Sequence, residues 1–137
     1  MQKASFDIIQ NYQLLMIRPI GAWSEDKALA FTQAANRYLT IDEYRFAGLI
    51  DIRQWGLDTP EAMGIINNNL HRAAAHAYAL EFNFGVPQAI HMQISKERIT
   101  PSTVDLIQTD DPIQVRQVCA ARHYEYDHTE LLQFLTI

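Results

Sequence analysis

Residues 45–55 read Arg-Phe-Ala-Gly-Leu-Ile-Asp-Ile-Arg-Gln-Trp, and residues 56–62 continue as Gly-Leu-Asp-Thr-Pro-Glu-Ala. The first segment is a short apolar run that ends in charged residues, which predicts a buried strand reaching the rim of a sheet. In the second segment, Thr59 is a typical helix N-cap. Pro60 suits the first helical position, because the N–H that proline lacks has no partner there. A strand, a loop and a capped helix form a βα corner, a usual place for a switch or an anion site in α/β proteins.

Strand and helix patterns alternate along the rest of the chain. The predicted strands cover residues 6–9, 13–20, 46–52, 89–94 and 104–108. Four helices are predicted. The first begins after Ser24 as N-cap and ends at Leu39, the second runs from Pro60 to Tyr78, and the third runs from Pro112 to Tyr124. The last runs from Glu130 to Leu135, with Thr129 as its N-cap. The order β-β-α-β-α-β-β-α-α predicts an α/β sandwich whose sheet is largely parallel in its centre.

Length, charge and cysteine content narrow the class of protein. The 137 residues show no linker or internal repeat, which predicts a single domain over residues 1–137. The net charge of −5, without a run of four basic residues, argues against nucleic acid as a partner. Cys119 is the single cysteine, which indicates a reducing compartment. With neither a signal-peptide pattern nor a span of about 20 apolar residues, the chain is expected to be cytoplasmic.

The element order and the corner at residues 51–62 resemble the STAS superfamily, and within it the small SpoIIAA-like proteins of bacteria. In STAS anti-anti-sigma proteins, a hydrophobic strand ends in an Asp-containing turn and leads to an Asp-Ser pair at the start of a helix. The serine of that pair is the phosphorylated switch. Residues 49–52, Leu-Ile-Asp-Ile, resemble the strand, and Asp58 and Thr59 stand where the pair would be, with threonine in place of serine.

This resemblance carries expectations about fold and function. It implies a single STAS-type domain with a mixed sheet of four to five strands and helices mainly on one face. It also implies helices that open over an apolar cleft, with binding of a lipid or small ligand. For Thr59 and Asp58 it implies a phosphorylation switch. Capping explains Thr59 structurally, because an N-cap threonine stabilises a helix by about 1 kcal/mol.

Aromatic residues near the predicted strand ends form a second candidate site. Trp23 and Trp55 each follow a predicted strand, and with Tyr78 and Phe82 they either line a pocket or seal the ends of the core. Met63 lies on the apolar stripe of the predicted second helix. These five residues are the candidate ligand or partner surface. In the same helix, residues 67–69 are three asparagines, which are poor helix formers and indicate a polar flank or a bend.

Motifs for catalysis and metal binding are missing from the sequence. There is no Gly-rich phosphate loop, no Gly-x-Ser-x-Gly and no His-Glu-x-x-His, so we expect neither catalytic residues nor a cofactor. His71 and His76 lie about 140° apart around the predicted helix and cannot share a metal ion. Asp51 and Arg53 at the end of the predicted strand are interpreted as an ion pair or loop anchor.

Two hypotheses for function follow. The first is a non-enzymatic regulatory or binding module that acts through protein contacts at residues 56–63 and the second helix. The alternative is a carrier or sensor of a small apolar ligand or lipid, with peripheral contact to a membrane. The apolar C-terminal tail, residues 131–137, packs on its own core, forms a homodimer contact or meets a membrane surface.

Overall fold

The computed structural model describes residues 3–39, 45–56, 58–75, 78–85 and 102–136. The five strands within these ranges are β1 (Ser5–Asn11), β2 (Leu14–Ile20), β3 (Phe46–Asp51), β4 (Tyr78–Phe84) and β5 (Asp105–Thr109). The four helices are α1 (Glu25–Leu39), α2 (Pro60–Ala74), α3 (Pro112–Ala121) and α4 (His128–Leu135). None of the helices in these ranges is long and apolar enough to cross a bilayer.

The described strands form one mixed sheet in the order β1-β2-β3-β4-β5. The first two strands are an antiparallel hairpin, whose turn places Tyr12 at φ 52°. The other neighbouring pairs, from β2 to β5, are parallel. The predicted hairpin and the largely parallel centre are therefore both confirmed.

Apolar side chains cover both faces of this sheet. On β2, Leu15 and Ile17 join the core under α1 and α2, while Leu14 and Met16 join the core under α3 and α4. Every residue of β3 is buried, as expected for a strand covered from both sides. The expectation that helices lie mainly on one face is therefore corrected, since two helices pack against each face.

The fourth strand is the main difference from the predicted elements. The predicted helix from Pro60 to Tyr78 ends at Ala74, and Tyr78 is the first residue of β4. Alanine is the strongest helix former, and the alanine-rich residues 73–79 continue the helical preference beyond the observed end. The strand predicted over residues 89–94 lies outside the described residues.

Helix starts follow the capping chemistry. Thr59 Oγ accepts the Ala62 N–H at 3.2 Å and Pro60 begins α2, which confirms the predicted cap. The cap predicted at Thr129 is wrong, because Asp127 accepts the Glu130 N–H at 3.1 Å and α4 begins at His128. The Asp127 carboxylate accepts an orphan N–H group of the first turn, so the helix begins with a cap two residues earlier than predicted.

Candidate functional site

The carboxyl end of β3 is an ion-paired anchor. Asp51 is completely buried, and its carboxylate accepts hydrogen bonds from Arg53 at 2.8 Å and Arg18 at 3.2 Å. Arg53 also donates to the Leu135 carbonyl at 2.7 Å, and Arg18 donates to the Phe134 carbonyl. Burial disfavours the charged carboxylate, yet the hydrogen bonds outweigh it and hold the pKa of Asp51 below its usual value. The interpretation of Asp51 and Arg53 as an ion pair is confirmed, and the anchor joins β3 to the C-terminus of α4.

The corner before α2 is held by a second buried carboxylate. Asp58 accepts the backbone N–H of Trp23 at 2.8 Å and the indole N–H of Trp55 at 3.1 Å. The Thr59 N–H donates to the Trp23 carbonyl at 3.0 Å, while the rest of Thr59 is exposed. The two candidate switch residues therefore differ in position: Asp58 faces the tryptophans inside and Thr59 faces solvent.

A cavity of about 70 Å³ lies between the sheet and the helices α1 and α2. We call it the interlayer cavity. One water molecule needs roughly 10–15 Å³ measured in this way, so the space is several times larger. Apolar side chains make up most of its wall, which comprises Leu15, Ile17, Pro19, Trp23, Phe31, Ala35, Phe46, Gly48, Ile50, Trp55, Ile66, Asn69, Leu70, Ala73, Tyr78 and Glu81.

The structure brings three of the five predicted aromatic and methionine positions to this cavity. Trp23, Trp55 and Tyr78 line it, and the two indole rings lie 6.0 Å apart between centroids. Met63 is buried in the same core without lining the cavity. Phe82 belongs to the opposite core, because its strand position turns the ring towards α3 and α4.

Tyr78 and Glu81 give the cavity its polar wall. In a regular strand, residues three apart point to opposite faces. Here the pairing of β3 with β4 shifts register between Phe46 and Gly48, and both side chains line the same cavity. The Tyr78 hydroxyl donates to Glu81 Oε1 at 2.9 Å, and Glu81 is only 2% exposed.

Gly48 leaves the space that the Tyr78 hydroxyl occupies. A Cβ atom at position 48 would lie 2.1 Å from the hydroxyl oxygen, far inside contact distance. Any larger residue would therefore displace the tyrosine from Glu81. The sequence signals for this arrangement are a glycine inside an apolar strand and a single glutamate within Tyr78–Phe84.

Asn69 adds a polar atom to the helical side of the cavity. Asn69 lines the cavity from α2, and its buried Oδ1 has no hydrogen-bond partner in the part of the chain that the structure describes. Among the described residues, Thr32 Oγ and Asn36 Oδ1 on α1 are the other buried side-chain oxygens in this state. All three lie on the two helices that cover the cavity, so this pair of helices carries polar groups that its own packing leaves unsatisfied.

The described residues hold no group of three His, Cys, Asp or Glu side chains arranged to bind a metal ion. His71 lies exposed on α2, and His76 lies outside the described residues. Burial raises the pKa of the Cys119 thiol to about 11, which keeps it protonated and unreactive at neutral pH.

The C-terminal apolar residues pack mainly within the chain. Leu131, Phe134 and Leu135 belong to the core under α3 and α4, while Leu132 is 43% exposed. The interpretation that this segment packs on its own core is confirmed for those three residues. Ile137 lies outside the described residues.

Comparison with known proteins identifies the fold. No family model and no curated protein matches the chain. The chain is similar to a solved protein of the DUF3478 family from Shewanella loihica PV-4, described as uncharacterised with a SpoIIAA-like fold. The identity is 14%, over 86% of this chain and 96% of that one, with a TM-score of 0.65.

A second similar structure is the anti-sigma factor antagonist SpoIIAA in its unphosphorylated form. Here the identity is 8%, over 86% of this chain and 98% of that one, and the TM-score is 0.59. The chain therefore has the SpoIIAA-like fold, which confirms the resemblance at the level of architecture.

Proposed function

We propose that this protein is a non-enzymatic binding module that holds a small apolar ligand in the interlayer cavity. The carrying observation is the cavity itself, about 70 Å³ beneath α2 with two tryptophans and a tyrosine in its wall. Protein cores are normally close-packed, and atoms that line a void lose their contacts. A ligand of matching shape would restore those contacts, which favours the carrier or sensor hypothesis over a purely structural core.

The experiment is a thermal unfolding series with toluene as the probe. Toluene at about ten times its Kd should raise the free energy of unfolding by about 1.4 kcal/mol. In the variant Ala73→Leu, the added side chain fills part of the cavity and should abolish the rise. Ala120→Leu places the same change on the exposed side of α3 and should preserve it. Equal melting temperatures with and without toluene in the unmodified protein would contradict the proposal.

A regulatory protein contact at residues 56–63 and α2 is the second candidate. Two observations support it: Thr59 is exposed at the N-terminus of α2, and the fold is that of SpoIIAA, an anti-sigma factor antagonist. A phosphate on Thr59 would lie at the positive end of the helix dipole, close to the negative Glu61. It would change the charge of this surface by about −2.

Intact mass measurement of protein isolated from its producing cells tests this candidate. The mass of one phosphate, mapped to Thr59, would support a switch. A fully unmodified protein that also binds no partner through α2 would contradict it. The exposed Leu132 on α4 is a candidate contact residue for a homodimer or a membrane surface. Mass measurement under native conditions distinguishes a monomer from a dimer.

A further inference from the structure

We infer that the outer edge of β1 binds β1 of a second copy of this chain, as an antiparallel ladder around a two-fold axis at Ile8. The five-stranded sheets of the two copies would then join edge to edge into one continuous sheet. This inference concerns an interaction surface on the hairpin β1–β2 and is independent of the interlayer cavity and of α2.

The first strand is an unprotected sheet edge. Natural proteins protect edge strands by keeping them short, by placing lysine or proline in them, or by interrupting them with a bulge. The seven residues of β1 include neither lysine nor proline, and their pairing with β2 runs without a bulge. At the other edge of the described sheet, β5 has five residues and begins with Asp105, which binds Arg122 at 2.6 Å. The edge of β1 is therefore the more suitable of the two for a further strand.

The hairpin geometry determines which backbone groups of β1 point outward. Asn11 pairs with Leu14 across a two-residue turn, and the residues that close such a turn exchange hydrogen bonds. Bonded and non-bonded pairs alternate along an antiparallel ladder, so the N–H and C=O groups of Phe6, Ile8 and Gln10 point away from β2. In the part of the chain that the structure describes, these outward groups have no hydrogen-bond partner.

A two-fold axis at Ile8 pairs all of these groups with those of a second copy. In a symmetric antiparallel ladder, the residue at the axis lies opposite its own copy, and Ile8 is the middle residue of β1. Phe6 of each copy then lies opposite Gln10 of the other, so the strands form three pairs that each exchange two hydrogen bonds. An axis at Ile9 would place Phe6 beyond the end of the second strand, and an axis at Asp7 would set two carboxylates opposite each other.

The side chains of β1 are self-complementary in this register. Phe6 and Ile8 pack against the core under α1 and α2, so contact between the two copies of Ile8 extends that core across the axis. On the other face of the strand, Asp7 lies opposite Ile9, and its carboxylate is paired with Arg18 of its own chain at 3.4 Å. Ile9 is 41% exposed and gains a cross-strand neighbour. This self-complementarity favours a second copy of the chain over an unrelated strand.

Cross-linking through a single introduced cysteine tests the register. In Ile8→Cys, the two introduced residues would lie about 5.5 Å apart between Cα atoms, which a disulfide spans. In the control Gln10→Cys, each cysteine lies opposite Phe6 and about 13 Å from its own copy, which is too far. Mild oxidation should therefore give a covalent dimer of Ile8→Cys and leave Gln10→Cys monomeric on a non-reducing gel. The native Cys119 is buried and present in both variants.

Sedimentation equilibrium of the unmodified protein and two lysine variants measures the affinity of the contact. Ile8→Lys sets two like charges opposite each other and should raise the Kd of the dimer by about tenfold or more. Gln10→Lys lies opposite Phe6 and should change the Kd by less than about threefold. Circular dichroism of both variants confirms that they are folded.

Three outcomes would overturn the inference. The first is an unmodified protein that stays monomeric up to about 1 mM. The second is equal cross-linking of Ile8→Cys and Gln10→Cys. The third is a dimer that Leu132→Lys dissociates and Ile8→Lys does not, which would place the contact on α4. All three would leave the proposed ligand function unaffected.

Discussion

At the scale of the residue, two threonines show that the contribution of a hydroxyl group to stability depends on its position. Thr59 Oγ caps α2 at 3.2 Å from the Ala62 nitrogen, while Thr32 Oγ is buried on α1 with no hydrogen-bond partner among the described residues. The substitution Thr→Val keeps the shape and removes the hydroxyl. We expect Thr59→Val to lower the free energy of unfolding by about 1 kcal/mol and Thr32→Val to raise it by about 1 kcal/mol.

Urea unfolding of both variants at pH 7 gives these two values. The comparison is internally controlled, because the chemical change is identical and only the environment differs. A loss of stability in Thr32→Val would mean that its hydroxyl has a partner in solution. That outcome would remove one of the three unsatisfied oxygens on α1 and α2.

The buried carboxylate of Asp51 predicts how stability depends on pH. An unfolded Asp has a pKa of about 3.9, and the hydrogen bonds from Arg53 and Arg18 lower the pKa in the folded protein. The contribution of Asp51 is therefore present above about pH 4 and lost as pH falls through the lower, folded-state pKa. We expect Asp51→Asn to cost about 3 kcal/mol at pH 7 and to flatten the loss of stability on acidification.

Chemical unfolding at pH 7 and at acidic pH measures both effects. Asp105→Asn is the control, because Asp105 pairs with Arg122 at an exposed position and should cost less than about 1 kcal/mol. If the free energy of unfolding of Asp51→Asn fell with pH in parallel with that of the unmodified protein, another carboxylate would be the main cause of the acid sensitivity.

Sequence reasoning identified those residues whose structural roles depend on their neighbours in the chain. The cap at Thr59, the pair Asp51 and Arg53, and the two tryptophans all follow from neighbours in the chain. Glu81 could not be placed, because it lies on the cavity face only through a register shift between two strands. Such a shift depends on how non-adjacent segments pair, and no local pattern encodes it.

At the scale of the element, the eight-residue helix α4 is held against the sheet by the apolar side chains on one of its faces. Leu131 is completely buried in the core under α3 and α4, whereas its neighbour Leu132 is 43% exposed. We expect Leu131→Ala to cost about 3 kcal/mol in the free energy of unfolding and Leu132→Ala about 0.5 kcal/mol. Denaturant unfolding of the two variants measures the difference.

A large loss in Leu132→Ala would contradict this assignment of the helix faces. If that loss depended on protein concentration, Leu132 would instead be part of a contact between copies of the chain. The pair of variants therefore separates core packing from a homodimer interface on the same helix.

Helix starts were easier to predict than helix ends. Thr59 with Pro60 marks the start of α2 through a specific hydrogen bond and a fixed backbone angle. Its end at Ala74 is set by the pairing of Tyr78–Phe84 with the sheet, which overrides the helical preference of the alanines. The pairing of β4 with β3 therefore sets the end of α2, which helix propensity alone predicts too far along the chain.

At the scale of the whole molecule, the two faces of the sheet differ in how their buried polar atoms are hydrogen-bonded and in how closely they are packed. On the face of α3 and α4, Arg18 and Arg53 bind the last carbonyls of α4 and the carboxylate of Asp51. The face of α1 and α2 contains the interlayer cavity and the three buried oxygens of Thr32, Asn36 and Asn69, which have no hydrogen-bond partner within the described ranges. In this chain, the ion-paired anchor of Asp51 therefore lies on the face of α3 and α4, and the interlayer cavity lies on the face of α1 and α2.

The helix α2 connects the two candidate functions. Its inner side lines the interlayer cavity through Ile66, Asn69 and Leu70, and its outer side carries the exposed Glu61 and His71. A ligand that moves α2 would alter the surface offered to a protein partner. The two binding events would then be coupled, because both would favour the same position of α2. The overall architecture was predictable from the order of elements, and the family resemblance implied an apolar cleft, whereas the residues that line the cavity depend on how the sheet packs against α1 and α2.

The most direct test of the central claim is methyl NMR of the protein titrated with ethylbenzene. If the ligand enters the interlayer cavity, shift changes should concentrate on the methyl groups of Leu15, Ile50 and Leu70, which line it. The methyl groups of Leu80 and Leu131 in the opposite core should remain unchanged. Shift changes confined to the opposite core or to surface methyl groups, or none at saturation, would contradict the assignment of the cavity as a ligand site.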